Sequence, residues 1–181
     1  MNLRIISGRF GGRIIQAPDG QLTHPMSERV RGSLFNIIAK KLEGAMVLDA
    51  FAGTGSLRLE SLSRGADHAT FIERDRVASK ILSENIHTLG VESSTTAVQV
   101  GLRTWIDKHL DNSYDIIFAD PPYNDLQLST VSGLVSLLKT NGLMVLSYPG
   151  RSELPAVNGV VVVDNRNYGT SVLAFYRKNS G

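Results

Sequence analysis

The 181-residue chain contains no cysteine. Disulfides, thiolate metal sites and thiol nucleophiles are excluded with it, and the omission suits a reducing compartment. Histidine is scarce. His24, His68, His87 and His109 are scattered, with no HxxxH or HExxH spacing, so no metal site is expected. No apolar run approaches the ~18 residues that span a bilayer. Arg4 and Arg9 interrupt the short apolar opening, and no small-residue cleavage site follows a hydrophobic stretch. The expectation is a cytoplasmic protein with no membrane partner. Internal repeats and low-complexity tracts are also lacking.

What remains has the composition of one soluble globular domain, with 42% hydrophobic and 20% charged residues. The net charge of +2 is unevenly spread. Residues 1–41 carry seven basic side chains (Arg4, Arg9, Arg13, Arg29, Arg31, Lys40 and Lys41) against Asp19 and Glu28, an excess of +5. The remainder is mildly acidic. A basic arm on an acidic body suits a polyanionic partner, although ordinary surface charge would read the same way.

Two regions are expected, 1–43 and 44–181. In the first, Leu3–Ile6 and Ile14–Ala17 flank a Gly- and Arg-rich centre and read as a β-hairpin. Pro18, Asp19 and Gly20 mark a turn. Ser27 is a candidate helix cap, and Val30, Leu34, Ile37 and Ile38 form one apolar stripe. Arg29 and Arg31 need not be buried with it. In the second region strands alternate with helices: strands at 46–51, 69–73, 96–100, 114–119 and 143–148, helices at 56–64, 75–89, 102–110 and 127–139. A final β pair is expected at 160–164 and 171–176. Such alternation predicts an α/β fold, a parallel sheet with helices on both faces and an antiparallel edge.

The first strand runs into Asp49-Ala50-Phe51-Ala52-Gly53-Thr54-Gly55-Ser56. Glycines in a tight strand-to-helix turn let the backbone approach a ligand, at the sheet edge where ligands bind in open α/β folds. A dinucleotide loop would want a third glycine, but that position holds Arg58, and the P-loop pattern is absent. A methyl-donor loop with an acid ahead of the glycines fits Asp49, because an acid repels pyrophosphate and suits a cationic sulfonium. Glu73 ends the next strand, where a carboxylate can accept both ribose hydroxyls of a nucleoside. A ligand-free turn becomes the weaker reading once both acids are counted.

Asp120-Pro121-Pro122-Tyr123 is the most specific pattern. A buried strand delivers it to the same sheet edge. The prolines stiffen the corner and remove two backbone donors. An exocyclic amine of a nucleic-acid base is a poor nucleophile, because its lone pair is delocalised into the ring. The Asp120 carboxylate and a backbone carbonyl, most simply that of Pro121, can accept its two N–H groups and aim the lone pair at a methyl group. Tyr123 offers a face for stacking an extruded base.

These residues resemble the Rossmann-fold amino-methyltransferases. Over nearly its full length the chain is similar to the bacterial 16S ribosomal RNA guanine-N2 methyltransferases. The likeness includes Arg4-Ile5-Ile6-Ser7-Gly8, Gly12-Arg13, Pro25-Met26-Ser27-Glu28-Arg29-Val30-Arg31, Leu34-Phe35-Asn36 and Tyr168-Gly169-Thr170. It implies a seven-stranded methyltransferase sheet with the last strand antiparallel, and S-adenosylmethionine as donor. It implies a guanine amine in 16S rRNA as acceptor, within a partly assembled small ribosomal subunit, and a monomeric enzyme. Catalysis would rest on Asp120, Pro121, Pro122 and Tyr123. The donor would lie against Asp49, Phe51, Ala52, Gly53, Thr54, Gly55, Glu73, Arg74, Gly101 and Leu102. RNA would meet Arg9, Arg13, Arg29 and Arg31. Departures fall at His24, Met26, Gly32 and Gly101. The last stands where the family carries an acid or amide that reads the adenine, so a backbone group or Leu102 would substitute. An adenine-N6 methyltransferase acting on DNA or RNA needs the same corner, though no separate target-reading domain is present. A protein side-chain amide would present a planar nitrogen of similar geometry to such a corner. A non-enzymatic RNA-binding module would keep the fold without the reaction.

Overall fold

The computed structural model describes residues 2–17, 26–109, 113–169 and 171–179. The turn expected at 18–20, and His24, Pro25 and Thr170, lie outside the described residues. Five parallel strands, β3 (Met46–Asp49), β4 (His68–Glu73), β5 (Thr95–Gln99), β6 (Tyr114–Ala119) and β7 (Leu138–Pro149), form most of a seven-stranded sheet. β8 (Val160–Asn167) and β9 (Ser171–Lys178) complete it in the order β5-β4-β3-β6-β7-β9-β8. β9 runs antiparallel to both its neighbours, as expected of the last strand.

Strand periodicity builds two layers on this sheet. Leu48, Ile72 and Ile117 face one side, with α4 (Leu102–Lys108) and α5 (Leu128–Gly133) packed over them. Their neighbours Val47, Phe71, Ile116 and Phe118 face the other, under α1 (Glu28–Ile38), α2 (Ser56–Ser63) and α3 (Arg76–Leu89). The helix expected over 127–139 is shorter. α5 ends at Gly133 and a 3-10 turn over Leu134–Leu137 leads into β7. Ser129, Thr130, Val131, Ser132 and Gly133 are all weak helix formers, so little holds a longer helix together.

The N-terminal segment is part of the packed layers. β1 (Asn2–Arg4) and β2 (Ile14–Gln16) form the expected hairpin. Ser27 caps α1, its hydroxyl accepting from Val30 N at 3.2 Å. Phe35 of α1 lies 5.8 Å from the Phe118 ring of β6, a pair worth about 1 kcal/mol beyond its burial. The hairpin is bolted to α2 by one buried acid. The Glu60 carboxylate accepts from Ile6 N at 2.9 Å, Ser7 N at 3.1 Å and Arg64 Nε at 2.9 Å.

Arg31 corrects an expectation. It is 1% exposed, its Nε stands 3.7 Å from Glu60, and its Nη2 donates to the Arg4 carbonyl. Arg31 therefore ties α1 to the hairpin and presents nothing to RNA. Its position on the same helical face as Leu34, Phe35 and Ile38 is the reason.

Candidate active site

The carboxyl ends of β4, β3 and β6 are adjacent, and they carry Glu73, the glycine loop and the Asp120 corner respectively. The three segments expected to act together open onto one sheet edge. Gly55 caps α2 with φ +82, and a Cβ there would sit 2.4 Å from Leu82 Cδ1, so only glycine makes this turn. Gly53, φ +53, faces open space. Its amide donates to Glu73 Oε1 at 2.8 Å, and Asp75 N donates to Glu73 Oε2 at 2.7 Å. Glu73 is thus fixed by two backbone amides while each oxygen keeps a lone pair for a ligand. Half-buried Phe51 and buried Leu102, next to Gly101, belong to one apolar cluster and supply a wall beside it. Ala52 is buried and Arg74 exposed. These features fit a nucleoside with a free ribose diol.

Asp49 behaves differently from expectation. It is 1% exposed, accepts from Phe51 N at 2.9 Å and forms a close ion pair with Arg58. Its charge is paired within the fold, where it shapes the loop. Arg58, 0% exposed, also donates to the Ala52 carbonyl at 3.0 Å and stacks 4.5 Å over the Phe71 ring. Burial pulls its pKa well down, opposed by the negative charges of Glu73 and Asp120. An arginine starts so high that it keeps its charge at neutral pH. One buried cation thus lies within electrostatic reach of both the donor-side and the acceptor-side acid.

On the acceptor side, Asp120 leaves β6 partly buried, and desolvation raises its pKa to about 6, against the lowering effects of Ser147 and Arg58. Pro121 is buried and Pro122 exposed. The Pro122 carbonyl accepts from Asp125 N at 3.0 Å, closing a turn. The Pro121 carbonyl accepts no hydrogen bond among the described residues. The Tyr123 ring is 42% exposed and its hydroxyl pairs with Ser147 Oγ at 2.7 Å. Burial of the phenol is the main reason its pKa rises.

Arg9 and Arg13 are exposed on the hairpin, flanking the Phe10 ring at 4.5 and 5.9 Å, and Arg29 is exposed on α1. Sequence reasoning missed Arg58, Ser147, Glu60 and Asn85. Asn85 of α3 is buried and joins the hairpin to the donor loop. Its Oδ1 accepts from Gln16 N at 2.8 Å, and its Nδ2 donates to the carbonyls of Gln16 at 2.8 Å and Thr54 at 3.0 Å. Only Arg58 left a local trace, as a long cation where a glycine loop wants a third glycine.

The family model described as "conserved hypothetical protein 95" matches residues 3–177. The chain belongs to that family. A Bacillus subtilis protein named as an rRNA methyltransferase, YlbH, is 33% identical over 97% of this chain and 99% of its own length. The ribosomal RNA small subunit methyltransferase D of Escherichia coli is 36% identical, over 77% of this chain and 68% of its own. Among solved structures, a methyltransferase from Escherichia coli, yhhF, superposes with a TM-score of 0.90 at 31% identity, covering 100% of both chains. The family match and the superposition with the Escherichia coli structure take in the hairpin as well as the sheet.

Proposed function

We propose that the protein transfers a methyl group from S-adenosylmethionine to the exocyclic N2 of a guanine in 16S rRNA. The observation that carries this reading is the meeting of the glycine loop, Glu73 and the Asp120 corner at the ends of three adjacent strands. Glu73 would hold the ribose hydroxyls, with Phe51 and Leu102 against the adenine, Gly53, Thr54 and Gly55 beneath the donor, and backbone at Gly101 in place of a side-chain contact. S-adenosylmethionine supplies the methyl group as an electrophilic carbon on a sulfonium.

The protein's own task is to make a poor nucleophile competent. Asp120 and the Pro121 carbonyl accept the two N–H groups of the amine, and its lone pair is then aimed at the methyl carbon. As nitrogen takes the carbon it becomes acidic, and Asp120, with a pKa of about 6, is suited to receive the released proton. Pro122 keeps the corner stiff, and the Tyr123 face holds the extruded base. No covalent enzyme intermediate is needed. Residues 1–43 form an RNA-contacting extension through Arg9, Arg13 and Arg29, and 44–181 the transferase domain. The relatives' names favour small-subunit rRNA, and we place the reaction in the cytoplasm, on a partly assembled subunit, by a monomeric enzyme.

The test is transfer from isotopically labelled S-adenosylmethionine to small-subunit rRNA and its assembly intermediates, followed by nucleoside mass spectrometry. Label in N2-methylguanosine is expected. Label in N6-methyladenosine would move the reading to the adenine enzymes, and label surviving RNase treatment in a peptide would move it to protein amides.

A further inference from the structure

Ser147 belongs to none of the motifs, yet it joins the two halves of the acceptor corner. It lies on β7, the strand beside β6. The parallel register pairs Ala119 with Leu146, which brings Asp120 and Ser147 side by side one step further on. Both line a narrow crevice with Met26, Leu57 and Val145. Tyr123 returns from the turn to place its hydroxyl 2.7 Å from Ser147 Oγ. Ser147 is buried, so no bulk water competes for its single proton.

We infer that Ser147 is a positioning residue for methyl transfer, locking the base-stacking ring of Tyr123 and the amine-accepting carboxylate of Asp120 into one directed hydrogen-bond chain. This rests on the reading of the corner proposed above. The direction follows from chemistry. An ionised carboxylate only accepts; assigning the Ser147 hydrogen to its neighbour Asp120 leaves the Tyr123 hydroxyl to donate to Ser147 Oγ and to accept from Ser171, its other hydroxyl neighbour. Stacking face and acceptor are set as a unit before a base arrives. The same chain favours the charged form of Asp120. The groups facing that carboxyl are Ser147 from β7, Arg58 from α2 and Tyr123 from the corner, with Met26 and Leu57 as apolar neighbours. Desolvation drives Asp120 up to about 6, and Ser147 and Arg58 hold it there instead of higher.

Three variants test the assignment: Ser147→Ala, Ser147→Thr, which keeps the hydroxyl, and Tyr123→Phe. Two readouts are needed. The first is the Asp120 carboxyl titration by 13C NMR, assigned by its loss in Asp120→Asn and requiring no substrate. The second is the pH profile of single-turnover transfer to small-subunit rRNA. Ser147→Ala should raise the Asp120 midpoint by about one pH unit and move the acid limb of the rate profile by the same amount. Turnover at pH 6.5 should fall about threefold, since the ionised fraction there drops from about three-quarters to about one-quarter, and by about tenfold only well below both midpoints. The KM for RNA should rise as the ring loosens, with unchanged affinity for S-adenosylmethionine. Ser147→Thr should restore the midpoint, and Tyr123→Phe should shift it less than Ser147→Ala. An unmoved Asp120 midpoint in Ser147→Ala, or a rate that falls equally at every pH, overturns the assignment. A wild-type protein that methylates no rRNA defeats the proposed function instead, and the Asp120 titration still decides the role of Ser147.

Discussion

The two walls of the cleft are held by opposite means. The donor wall is fixed by buried charge, with Arg58 paired to Asp49 and within reach of Glu73, and with Glu73 clamped by the amides of Gly53 and Asp75. The acceptor wall is fixed by neutral groups, two prolines and the Ser147 and Tyr123 hydroxyls, around a single carboxyl. The donor wall is therefore built once, at folding, with each of its charges held by partners within the protein. The acceptor wall keeps its one charge free to respond to the base and to pH. A nucleoside common to every turnover suits the first design. A reacting amine that must be gripped, deprotonated and released suits the second.

The sharpest way to break this contrast is Arg58→Met. It leaves Asp49 buried without its partner and should cost about 3–5 kcal/mol of stability, read by denaturant unfolding. Pairing it with Asp49→Asn should recover most of the loss, because both charges are then gone. Asp120→Ala attacks the other wall and should spare the fold. Turnover should drop about 100- to 1,000-fold, as for other donors and acceptors tied to the reacting atoms, while calorimetry finds S-adenosylmethionine affinity nearly unchanged. Tyr123→Ala should act on the RNA, weakening productive binding by about 1–3 kcal/mol and raising KM more than it lowers kcat.

Asp120→Asn sharpens the comparison through pH. The Asp120 carboxyl moves from an ordinary 3.8 to about 6 in the fold, so the folded protein holds a proton more tightly than the unfolded chain. What that carboxyl contributes to stability is complete below about pH 4 and is lost as pH rises through 6. Asp120→Asn should thus melt several degrees higher than wild type at pH 7–8, with the gap closing below pH 4. The smallest effect belongs to the arm. Arg29→Ala should flatten the salt dependence of RNA binding by about one unit of slope or less, whereas Arg31→Ala should lower stability and leave that slope alone.

The legible parts of this molecule are those whose partners are close in sequence or whose pattern is periodic. Asp120–Tyr123, Gly53, Gly55 and Glu73 each announce themselves at the end of an apolar strand. The Ser27 cap, most of the α1 stripe (Val30, Leu34 and Ile38, with Phe35 buried in place of the half-buried Ile37) and the antiparallel final strand follow from spacing. The unread residues act across the chain. Glu60 meets amides 53 and 54 positions away, Asn85 meets Gln16 across 69, and Ser147 meets Tyr123 across 24. No local pattern marks such a partner, because the sheet order that brings them together is set by the whole fold. Asp49 is visible in the sequence but its task is not, since its charge can be assigned only once Arg58 is seen beneath it. Arg31 shares a helical face with Leu34, Phe35 and Ile38, yet sequence reasoning leaves it at the surface. A guanidinium is seldom placed inside without a visible acid, and Glu60 lies 29 residues on.

The shared cleft is tested most directly by a crystal structure of the protein with S-adenosylhomocysteine. The ribose should sit on Glu73, and the sulfur should face the Asp120 carboxyl and Pro121 carbonyl, with room for one planar base against Tyr123. A sulfur pointing away from Asp120, or a corner cut off from the nucleoside by packed side chains, would contradict the account.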